Sequence, residues 1–140
     1  MYSRSHAVVS FAAVGGYTLL TGVPFPAAAV WILIGVAAGV FIDADHVVLA
    51  AVFGDRDAVA RWLRRPWAPF THPEELLDDL EYGGQQLYYH RIATHVAVLA
   101  LLYVGSQRYT LLLPAFIAVA VHIASDIAWD LWNRNYSTLF

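Results

Sequence analysis

Acidic residues and a histidine stand where a long apolar segment of this sequence ends. The run AAAVWILIGVAAGV leads into FIDADH, which contains Asp43, Asp45 and His46. A helix C-terminus carries partial negative charge and disfavours carboxylates, so helix stability does not explain the two aspartates. Imidazole and carboxylate groups are ligands for zinc and manganese. The pattern therefore predicts a metal site at the end of this segment.

Residues of the same two types lie near the ends of three other apolar segments. Together they form a set of eight candidate metal ligands: His6, Asp43, Asp45, His46, His90, His95, His122 and Asp126. A single histidine on an apolar helix is more often an interhelical hydrogen-bonding residue than a ligand, but the convergence of so many favours a metal. His122 and Asp126 share one helix face. His90 and His95 are about 140° apart and share a site only if their helix begins irregularly.

The number of candidate ligands exceeds what one ion needs. A catalytic zinc takes three protein ligands and leaves a position for water. We therefore expect two or more divalent ions, with zinc as the first choice, manganese as the alternative, and Asp43 or Asp45 as a bridge. Paired metals suit hydrolysis at phosphorus. We predict catalytic roles for Asp45, Arg91 and Asp126, in which Arg91 binds a phosphate. Alternatively, Arg91 extends toward lipid headgroups.

The composition indicates what surrounds these segments. Of 140 residues, 59% are hydrophobic and 14% are charged, and the mean hydropathy is +0.54, whereas soluble domains are roughly half apolar and a quarter charged. This excess predicts one integral membrane domain, residues 1–140, in contact with membrane lipid. The net charge of −3 gives no indication of a nucleic-acid partner. The absence of cysteine excludes thiolate ligands.

The apolar segments predict an all-α membrane bundle of about four transmembrane helices, at 7–23, 26–42, 86–105 and 109–132. Short turns make two helical hairpins of them, and residues 54–85 form a polar loop of short helices. An up-down-up-down arrangement brings all the candidate ligands to one end. Seven of the eight arginines lie at that end, which predicts a metal site on the cytoplasmic side of the cell membrane. Alternatively, the N-terminus is a signal peptide, whose removal would delete His6.

Four short motifs carry a family resemblance. SHAVVS, GVFIDADH, YHRIATH and VHIASDIAWD resemble, in order and spacing, motifs of the YdjM-like family of LexA-binding, inner-membrane-associated hydrolases, also described as predicted membrane-bound metal-dependent hydrolases. The resemblance spans most of the chain, implies a metal centre in the membrane, and extends to His6, Asp43, Asp45, His46, His90, Arg91, Thr94, His95, His122 and Asp126. The chain departs from the family pattern at Phe41, Tyr89, Ile92 and Val96. The final His-x-x-x-Asp is also similar to a motif of zinc-dependent phospholipase C and related single-strand nucleases, which points to phosphoesters.

These observations predict a membrane-bound metal-dependent hydrolase that cleaves an ester or phosphoester, such as a lipid headgroup, through metal-activated water. The alternative is a non-catalytic metal-binding membrane adaptor or regulatory protein, in which the metal is structural and the polar loop binds a soluble partner. An ion or metal transporter ranks last, because polar groups would have to cross the whole bilayer. The pattern does not indicate an oligomeric state.

Overall fold

A computed structural model of the protein describes residues 3–52, 56–65 and 84–137. All regular structure in these ranges is helical, which confirms the all-α prediction. The helices are α1 (Ser3–Thr21), α2 (Phe25–Phe41), α3 (Asp45–Val52), α4 (Arg56–Arg64), α5 (Gly84–Ser106) and α6 (Leu113–Ser137). Short 3₁₀ turns, Ile42–Ala44 and Thr110–Leu112, precede α3 and α6. Apart from α4, most of the predicted polar loop lies outside the described residues.

The tight turn between α1 and α2 depends on one glycine. Gly22 has a φ of 66°, the left-handed conformation that glycine adopts without strain. The Val23 N–H donates to the Thr18 carbonyl at 3.0 Å, which is the long hydrogen bond of a Schellman-type C-cap. Pro26 then lies in the first turn of α2, where the missing N–H of proline removes no helical hydrogen bond. The first two helices therefore form a hairpin, as predicted.

Helices α1, α2 and α6 pack against one another through small residues. The buried side chains of α1 recur at every fourth position: His6, Ser10, Val14 and Thr18. A Cβ added to Gly35 of α2 would lie 2.6 Å from Val14 Cγ2, and one added to Gly39 would overlap the Ser10 side chain. Glycine at these positions lets the two backbones approach closely. This line of contacts runs along the helices to His6 and Asp43.

The remaining long helix, α5, lies against α6, and α3 also touches it. The rings of Tyr103 and Phe116, with centroids 5.6 Å apart, mark the contact between α5 and α6. Because α3 follows directly from the 3₁₀ turn after α2, it carries the chain from the α1–α2–α6 cluster toward α5. Residues of four separate segments can therefore meet at the end of α2.

Two helical segments are long and apolar enough to cross a membrane, Phe25–Ala44 and Thr110–Trp132. Few of their residues are buried within the chain, and large apolar side chains such as Leu33, Leu101 and Val104 are exposed. The apolar part of α5 is shorter, at Ile92–Ser106. Two of the four predicted spans thus meet the length and composition expected of a membrane helix.

Candidate metal centre

The buried polar groups of the described residues gather where α2 ends. His6 comes from the first turns of α1, Asp43 from the 3₁₀ turn after α2, and His95 from α5. His122 and Asp126 lie one turn apart on α6. The three histidines are at most 3% exposed and Asp126 is 9% exposed. The fold therefore brings together five of the eight predicted ligands, which come from distant segments of the chain.

Four of these residues form a group that could hold a metal ion. One ligand atom from each of Asp43, His95, His122 and Asp126 lies within 4.8 Å of all the others. Asp43 Oδ1 is 3.5 Å from His95 Nε2 and 3.4 Å from His122 Nε2. His122 Nε2 is 3.3 Å from Asp126 Oδ2. Donors about 2.0–2.1 Å from a tetrahedral zinc lie about 3.3–3.4 Å from each other, so these separations fit a metal. We call these residues the four-residue group.

His6 adjoins the four-residue group from α1. Its Nε2 atom is 3.3 Å from Asp126 Oδ1 and 3.8 Å from Asp43 Oδ2. Its ring stacks on that of His122, with centroids 3.8 Å apart and an interplanar angle of 24°. His6 therefore approaches the oxygens of Asp43 and Asp126 that do not face His122.

The buried imidazoles lack aligned hydrogen-bond partners at the atoms that face the carboxylates. This holds for Nε2 of His6, His95 and His122. A buried polar atom without a partner costs about 1–3 kcal/mol, and such atoms are rare in folded proteins. A bound cation would satisfy them, and the donor set of nitrogen and carboxylate oxygen suits zinc or a similar divalent ion.

A backbone carbonyl orients His122. The His122 Nδ1 atom is 2.8 Å from the carbonyl oxygen of Gly39, which lies in the last turn of α2. The last carbonyls of a helix lack a full set of intrahelical donors, so this oxygen can accept Nδ1–H. That hydrogen bond assigns the proton to Nδ1 and leaves the lone pair of Nε2 toward the carboxylates, as in many metal-bound histidines.

Asp45 lies behind His95 rather than within the four-residue group. Its Oδ2 atom accepts a hydrogen bond from the Thr94 hydroxyl, and it is 3.0 Å from Nδ1 of His95. The opposite ring nitrogen, Nε2, faces Asp43. A carboxylate at Nδ1 of a ligating histidine is the common partner that holds such a ring in place. The position of Asp45 therefore suits support of a ligand.

The other predicted site residues are not placed in the four-residue group. His90 is exposed on α5, where it precedes His95 by five residues. The side chains of His46 and Arg91 lie outside the described part of the structure. Conversely, the sequence predicts the close helix approach at Gly39 but not the contact of its carbonyl with His122, although Gly39 precedes Asp43 by four residues and so lies on the same helix face.

The chain matches no protein-family model, no curated protein and no solved structure. The resemblance to the YdjM-like family therefore stays a prediction, and the assignment of a function depends on the site itself.

Proposed function

We propose that the protein is a membrane-bound hydrolase of the YdjM-like type, whose divalent metal centre cleaves an ester or phosphoester of a membrane lipid. The observation that carries this proposal is the four-residue group, in which buried imidazoles and carboxylates from three separate segments meet at metal-ligand spacing. Its place at the end of the apolar segment Phe25–Ala44 supports a position near the headgroups of a bilayer. The arginine distribution favours the cytoplasmic face.

Zinc is the first expectation for the ion, because the described ligands are nitrogen and carboxylate oxygen and the chain has no cysteine. When bound, such an ion polarises an ester oxygen and lowers the pKa of water. In hydrolysis, a water oxygen bonds to the carbon or phosphorus, the bond to the leaving oxygen breaks, and a proton from the water is transferred to that oxygen. We propose that the carboxylates of the site relay this proton.

Different residues of the chain would bind the ion, support a ligand and contact the substrate. Asp43, His95, His122 and Asp126 would hold the ion. Asp45 and Thr94 would keep the His95 ring in place, because Asp45 contacts its Nδ1 atom. Arg91 follows His90 on α5, and we retain for it the predicted contact with a phosphate.

A second candidate function is supported by the burial of the site. The side chains of His6, His95 and His122 are at most 4% exposed, whereas those of Asp43, Asp45 and Asp126 are 12–19% exposed. A centre this enclosed would also suit a metal that stabilises the bundle of an adaptor protein. In that case the metal would contribute to folding without turnover.

One experiment separates the two functions. The full chain is purified in detergent, its metal content is measured by elemental analysis, and hydrolysis of p-nitrophenyl acetate and bis(p-nitrophenyl) phosphate is assayed. Asp126→Asn should lose metal and turnover together, whereas the matched variant Asp130→Asn, one turn along α6, should keep both. Bound metal without metal-dependent turnover would support the adaptor, and the absence of metal from the wild type would refute both.

A further inference from the structure

In each of the two carboxylates of the four-residue group, the two oxygen atoms lie near different histidines. Asp43 directs Oδ1 toward His95 and His122, and its Oδ2 lies 3.8 Å from His6 Nε2. Asp126 directs Oδ2 toward His122, and its Oδ1 lies 3.3 Å from the same nitrogen of His6. The oxygens not used by the four-residue group therefore converge on His6.

These three atoms make a second set of donors: His6 Nε2, Asp43 Oδ2 and Asp126 Oδ1. We call it the His6 set. Its imidazole is fully buried, at 0% exposure, and neither ring nitrogen has a hydrogen-bond partner among the described residues. A buried histidine in this state is costly unless something binds it. Its nitrogen already points at two carboxylate oxygens, so a cation is the ligand that fits.

We propose that the His6 set is a second metal subsite, bridged to the four-residue group by both Asp43 and Asp126. This proposal rests on the proposed function, because it requires the first ion. The stacked imidazoles of His6 and His122 would each bind one ion, and two ions that share carboxylates correspond to the paired metals of many hydrolases.

The two subsites differ in how many protein ligands they offer. The four-residue group supplies four, the number typical of a closed structural zinc site. The His6 set supplies three, the number typical of a catalytic site with one position left for water or substrate. We therefore assign the reactive position to the His6 subsite and a supporting role to the four-residue group.

This arrangement also selects the substrate class. Two ions that share carboxylates can stabilise both the attacking and the leaving oxygen of an in-line displacement at phosphorus. A carboxylic ester needs only one metal to polarise its carbonyl. The shared carboxylates therefore favour a phosphoester: water bonds to phosphorus, the bond from phosphorus to the leaving oxygen breaks, and the leaving oxygen takes up a proton from that water.

The test counts ions on the detergent-solubilised full chain. Wild type should bind two Zn²⁺ per chain, and His6→Ala should bind one and lose hydrolysis of bis(p-nitrophenyl) phosphate. His90→Ala is the matched control, because it removes an imidazole outside both donor sets, and it should keep two ions. Far-ultraviolet circular dichroism and gel filtration check that each variant is folded.

A measurement on the wild type removes the dependence on any variant. With Mn²⁺ in place of zinc, electron paramagnetic resonance should show two magnetically coupled ions. A single uncoupled ion in the wild type, or two ions retained in His6→Ala, would refute the second subsite and leave the four-residue group intact. Turnover of p-nitrophenyl acetate without turnover of the phosphodiester would refute the substrate class. A wild type that binds no metal would instead overturn the proposed function.

Discussion

The role of Asp45 leads to a prediction that separates a metal ligand from its support. Asp45 Oδ2 lies 3.0 Å from His95 Nδ1 and accepts the Thr94 hydroxyl, while His95 Nε2 faces Asp43. Asp45→Asn keeps the size of the side chain but removes its charge. Loss of such a supporting contact typically weakens metal affinity by about 10- to 100-fold, which corresponds to about 1.4–2.7 kcal/mol.

The residues proposed to bind the ion directly should behave differently. Asp43 contacts the imidazoles of His95 and His122 at 3.5 and 3.4 Å and His6 at 3.8 Å. Asp43→Asn therefore removes charge next to all three rings, and we expect no stoichiometric binding at micromolar zinc. Asp45→Asn should still bind zinc with unchanged stoichiometry and a weakened dissociation constant.

The assay is competition for Zn²⁺ with a chromophoric chelator in detergent. Thr94→Val should fall between wild type and Asp45→Asn, because it removes one hydrogen bond to the carboxylate. Thr94→Ser keeps the hydroxyl and should restore wild-type affinity. If Asp45→Asn loses metal as completely as Asp43→Asn, Asp45 is itself a ligand and our reading of its contact with His95 is wrong.

Two further predictions concern packing and metal removal. Gly39→Ala should lower the free energy of unfolding, measured by thermal unfolding in detergent, by about 1–3 kcal/mol, because the added Cβ overpacks against Ser10. Gly16→Ala, with nothing within 4 Å of the added Cβ, should be neutral or slightly stabilising. Equal effects of the two substitutions would contradict the close approach at Gly39. Zinc at 100 times its dissociation constant should stabilise the folded protein by about 2.7 kcal/mol. Removal of the metal with EDTA should therefore lower the unfolding midpoint of wild type but not that of Asp126→Asn. The same effect of EDTA on both proteins would contradict binding at this site.

The general position of the site could be predicted from the sequence because two physical constraints coincide. Apolar runs of about 20 residues that cross a bilayer are expected to be helices, and polar residues at one end of neighbouring helices lie close together when the chain reverses direction between them. Asp43, His122 and Asp126 follow from these constraints alone. So does the spacing of His122 and Asp126, which puts both on one helix face.

The position of each residue within the site could not be predicted in this way. Asp43 and Asp45 are two residues apart in the same motif, and only the 3₁₀ turn at Ile42–Ala44 decides which of them faces His122. His90 and His95 are five residues apart on a helix that is regular throughout, so they point in different directions. The sequence pattern also gives no sign that the Gly39 carbonyl contacts His122, because a backbone acceptor has no residue type.

The orientation of the His122 ring depends on a main-chain atom, the carbonyl oxygen of Gly39. Because a side-chain substitution does not remove this carbonyl, its contact with His122 depends on how α2 and α6 pack against each other. A substitution that shifts α2 against α6 would therefore turn the His122 ring while every predicted ligand stayed the same.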